Sequence, residues 1–140
     1  MSYVPSHVGA VQLLANPDAL VFCDVELNGT CSNGTVIEYL NPQTQFGSWT
    51  VSITNGVITL PSGYWYFLEG TTQFYPLGDF YNHTLETQWY NETSSAYVGT
   101  KTFMAPQITE QDDQATSRAD TARVLIDCTS SGITISNKVL

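Results

Sequence analysis

Positive charge is what this chain has least of. Lys101, Arg118, Arg123 and Lys138 are its only strong bases, set against 13 acids, for a net charge of −9. With no cluster of bases to neutralise a row of phosphates, the expected partners include no nucleic acid and no membrane. Charge of either sign is scarce: 12% of residues carry it, about half the usual share, so Thr, Ser, Asn and Gln must dress the surface. No run reaches the ~20 apolar residues of a membrane span. The first twenty residues also lack the basic start and apolar centre of a signal peptide, which predicts a protein made and used without Sec export.

Residues that carry chemistry are few. His7 and His83 stand far apart, outside any His-x-His or His-Glu-x-x-His spacing. Cys23, Cys31 and Cys128 form no Cys-x-x-Cys pair. In a chain without an export signal they read first as free thiols, with a Cys23–Cys31 bridge as the alternative. The Asn-x-Thr sequons at Asn28, Asn33, Asn82 and Asn91 read as by-products of Asn- and Thr-rich turns. Nucleotide-binding glycine loops and Gly-x-Ser-x-Gly are missing. The acid pairs Asp24/Glu26 and Asp112/Asp113 would need burial to serve glycoside hydrolysis, and the sequence offers them none. The second pair, in the 110–113 loop, lacks the register of a calcium loop. These absences predict no catalytic residues, no metal and no cofactor.

What is present is a series of short β-forming runs between turn residues. Residues 19–27 read as a strand that meets Asn28-Gly29 and Asn33-Gly34, and 35–40 as another; 42–48 read as a loop. Residues 49–54 alternate Trp49, Val51 and Ile53 with Thr50, Ser52 and Thr54, the pattern of a half-buried strand. Asn55-Gly56 turns the chain into 57–60. Further strands follow at 83–90, with Trp89 on one side, and at 96–104. Residues 105–120 turn polar and acidic, which predicts a surface loop. Ala122, Val124, Ile126 and Cys128 then alternate with Arg123, Leu125 and Asp127, and 133–140 closes the chain. Eight to ten short strands without a helix predict an all-β, single-domain antiparallel β-sandwich, with 18–140 as the domain and 1–17 as an N-terminal arm or first strand.

Apolar content peaks in residues 56–75, around Gly63-Tyr-Trp-Tyr-Phe-Leu68. In a strand, Tyr64, Tyr66 and Leu68 face one way and Trp65 and Phe67 the other, so neither face is polar. Either one face is core and the other meets another subunit, or both are covered within one chain; the apolar excess favours an interface.

Gly63-x-Trp65-x-Phe67 resembles the Gly-x-Tyr-x-Phe signature of the trimeric jelly rolls related to tumour necrosis factor and the globular heads of complement. Residues 88–93 running into Tyr97-Val98-Gly99, and 122–127 followed by Gly132-Ile133-Thr134-Ile135, are similar to bacteriophage virion proteins of this kind. The resemblance covers the chain from about residue 56 onward. It implies a jelly-roll homotrimer in which Trp65 and Phe67 are core, with Trp89, Val124 and Ile126, while Tyr64, Tyr66 and Leu68 form the trimer interface. It further implies a capsid decoration (cement) protein bound to the major capsid protein on the capsid exterior of a virion assembled in the host cytoplasm; the alternative is a receptor- or glycan-binding knob of a fibre. With no stalk before its first strand the chain fits decoration better. Tyr3, Val4, Val8, Val11 and Leu13 of the arm are then the candidates for gripping the shell.

Overall fold

A computed structural model describes residues 32–39, 52–72, 84–103 and 120–140 in full and, as backbone only, residues 19–22, 44–47, 106–108 and 115–117. The described chain is all-β, without a helix. Its strands are β1 (Ala19–Phe22), β2 (Thr44–Gly47), β3 (Ser52–Thr54), β4 (Val57–Leu60), β5 (Trp65–Thr72), β6 (Thr87–Asn91), β7 (Ala96–Val98), β8 (Pro106–Ile108), β9 (Ala115–Ser117), β10 (Asp120–Asp127) and β11 (Ile133–Val139). All pairings are antiparallel. Five strands form a sheet in the order β3-β4-β11-β6-β7, while β5 pairs with β10, β1 with β2 and β8 with β9.

The β3–β4 hairpin follows directly from Asn55-Gly56. Both residues have positive φ, 50° and 75°, the backbone that a tight two-residue turn demands and that Asn and Gly tolerate. Strand β11 sits in the middle of its sheet, with Ile135 opposite both Ile58 of β4 and Asn91 of β6. Beyond the end of β4, residues 34–37 continue along the same side of β11. Gly34 N donates to Val139 O and Ile37 N to Asn137 O, each at 2.8 Å, and Val139 N donates to Thr35 O at 2.9 Å.

One apolar cluster joins the five-stranded sheet to the β5–β10 pair. Ile58, Leu60, Trp89 and Ile135 come from the first, and Ala122, Val124 and the adjoining Cys128 from the second; Tyr66, Leu68, Ile126 and Tyr39 pack against them. Trp89, 2% exposed, ties the layers together: its Nε1 donates to Ala122 O at 3.0 Å and its ring stacks on Tyr39 with centroids 5.9 Å apart. Buried hydroxyls extend the join. Thr87 Oγ1 lies 2.9 Å from Thr102 Oγ1 and 3.4 Å from Thr72 Oγ1, so β5, β6 and the segment after β7 share one polar contact in the interior. That segment then crosses to β10, where Thr100 N donates to Arg123 O at 2.8 Å.

The structure corrects three local expectations. Residues 42–48, read as a loop, contain β2, and 105–120, read as a surface loop, contain the β8–β9 hairpin. Strands of three or four residues are too short to display an alternation; backbone pairing makes them. Within the expected strand at 35–40 the described residues 35–39 form isolated bridges and no strand, with Val36 opposite Lys138.

Candidate functional site

Strand β5 positions the apolar peak, and its partner β10 decides which way each side chain points. Residues directly opposite one another in an antiparallel pair share a face. Tyr66 lies opposite Ile126, Leu68 opposite Val124 and Gly70 opposite Ala122; Trp65 lies opposite Asp127, Phe67 opposite Leu125 and Glu69 opposite Arg123. The first row is the inner one, since Val124 and Ala122 are buried and Tyr66, Leu68 and Ile126 pack on the core. The second row points outward: Trp65 is 52% exposed and Leu125 54%.

The faces of β5 are therefore the reverse of the sequence expectation. Trp65 and Phe67 are not core; they stand on the outer side, Trp65 exposed and Phe67 half-buried. Tyr66 and Leu68 turn inward and, half-buried, pack against the core, while Tyr64 is 43% exposed just before the strand. The physical reason is the fit between sheets. Only the row that contains Gly70 and Ala122 leaves room for Trp89 and Tyr39, and the alternative would bring Glu69 and Arg123 into the core, where desolvation opposes charge. Trp89 and Val124 are buried and Ile126 is half-buried against the core.

Tyr66 is held by its polar end. Its hydroxyl donates to Pro61 O at 3.0 Å, and burial, with the Cys128 thiol and Tyr64 beside it, pushes its phenol above the ordinary value, which keeps the proton available for that bond. Burial likewise raises the Cys128 thiol, aided by Asp127. A thiol that stays protonated and fully buried is a poor nucleophile; Cys128 fills space.

The outer face of β5–β10 thus runs from an apolar end to a polar one. Trp65, Phe67 and Leu125 form the apolar part. Arg123 Nε meets Glu69 Oε1 at 2.7 Å, and Thr71 Oγ1 meets Thr121 Oγ1 at 2.9 Å. At the Trp65 end, Asp127 Oδ1 accepts from Thr129 Oγ1 at 2.6 Å and from Thr129 N at 2.9 Å; these bonds hold its carboxyl below the ordinary range. Glu69, Arg123, Thr71, Thr121 and Asp127 at this face each have a partner within the chain.

The outer face of the five-stranded sheet has a different character. Lys138 Nζ lies 2.8 Å from Glu92 Oε1 and 3.7 Å from the centre of the Tyr90 ring, Ser136 Oγ donates to Glu92 Oε1 at 2.7 Å, and Tyr97 meets Tyr90 edge to face at 4.9 Å. Burial alone would push the Glu92 carboxyl up, but the bonds from Lys138 and Ser136 outweigh it and hold the carboxyl below its ordinary value. A carboxyl depressed in the folded chain adds stability that is complete above its unfolded pKa and is lost as pH falls through the folded one. Glu92→Gln is therefore expected to separate from wild type in urea unfolding at pH 7, and the gap should narrow as pH falls through the lowered folded-state value of Glu92.

Among the described residues no three His, Cys, Asp or Glu side chains gather as a metal site. His7, His83, Cys23, Cys31, the 110–113 loop and the expected shell-gripping residues Tyr3, Val4, Val8, Val11 and Leu13 lie outside the described residues. The residue that sequence reasoning missed is Leu125. A single exposed leucine is ordinary on a surface; its weight comes from lying beside Phe67 and Trp65 across the strand pair. Comparison with protein-family models, with curated proteins and with solved structures returns no match to this chain.

Proposed function

We propose that this chain is a structural virion protein, a jelly-roll homotrimer that decorates the outer surface of a phage capsid, contacts the major capsid protein and stabilises the shell. One observation carries the structural part of the reading: the β5–β10 pair has one face in the core, and its other face exposes an apolar end at Trp65 and Leu125. Exposed contiguous apolar surface marks an interaction site more often than a catalytic one. The specific setting, a capsid exterior, rests on the resemblance of residues 63–67, 88–99 and 122–135 to phage virion proteins.

Imaging purified particles of the virus that encodes the chain tests this. Density outside the head is expected, together with genome release at lower temperature from heads that lack the protein. Density at the tail tip would move the assignment to a receptor- or glycan-binding knob, and absence from the particle would overturn both.

A further inference from the structure

We draw no further inference here: the strongest candidate, the exposed apolar patch at Trp65 and Leu125 on the outer face of the β5–β10 pair, carries nothing beyond the reading above, because nothing in the structure shows what covers it.

Discussion

Trp89→Ala is expected to lower the unfolding free energy by about 3–5 kcal/mol, the usual loss for a large buried aromatic. Three separate contacts end with that ring. It fills the space between Ile135 and Ile58 on one sheet and Ala122 and Val124 on the other, it stacks on Tyr39, and its Nε1 satisfies Ala122 O. Removal opens a cavity and takes from the Tyr39 ring its stacking partner and from Ala122 O the indole donor. Against a total of about 5–15 kcal/mol for a domain of this size, the loss is large enough to leave much of the chain unfolded near 37 °C. Urea unfolding followed by circular dichroism checks it. A loss below about 1 kcal/mol would mean that the two sheets do not close over Trp89.

Gly70→Ala is expected to cost about 2–5 kcal/mol although it adds one methyl group, because overpacking and a lost buried hydrogen bond act together. A Cβ at this position would lie 2.5 Å from Asn137 Nδ2 and from Tyr39 Oη, and 3.1 Å from Trp89 Cζ2. Those side chains have little space to retreat into. Asn137 is fully buried, its Nδ2 donates to Tyr39 Oη at 3.0 Å, and its Oδ1 has no hydrogen-bond partner. Pushing the amide away from Tyr39 would strand the whole group in the interior. Asn137→Ala makes room, so Gly70→Ala should be milder in that background, and a double-mutant cycle should show a coupling of at least about 1 kcal/mol. Additive losses would show that Gly70 and Asn137 do not meet.

The elements legible in the sequence are those whose two sides differ in polarity. Ala122, Val124, Ile126 and Cys128 against Arg123, Leu125 and Asp127 reveal both the existence and the facing of β10. Asn55-Gly56 marks the β3–β4 turn for the same reason that the backbone takes positive φ there. Strand β5 was legible as a strand but not in its facing, because Tyr64, Tyr66 and Leu68 are as apolar as Trp65 and Phe67. Two residues further along resolve the ambiguity: Glu69 shares the row of Trp65 and Phe67, and Gly70 shares the row of Tyr66 and Leu68. A charge that wants water and a glycine that admits a neighbour's ring both point the same way. The resemblance weighed against that local signal and gave the opposite facing. Strands β2, β8 and β9 carry no apolar period and depend on pairing partners that a linear reading does not supply.

The exposed face was half legible. Sequence alone announced an apolar excess at residues 64–68, and part of that excess, Trp65, stands exposed. Leu125 and the Glu69–Arg123 pair joined the site only through the β5–β10 register, which brings together residues about 55 positions apart.

The central claim is that the two rows of β5 have opposite places, with Trp65 on the exposed outer row and the row facing Trp89 in the core. Its most direct test compares the urea unfolding of Trp65→Ala and Trp89→Ala at matched protein concentration. Trp65→Ala is expected to cost less than about 1 kcal/mol, as surface substitutions do, and Trp89→Ala about 3–5 kcal/mol. A Trp65→Ala chain destabilised as much as the Trp89→Ala chain would contradict the claim and return Trp65 to the core.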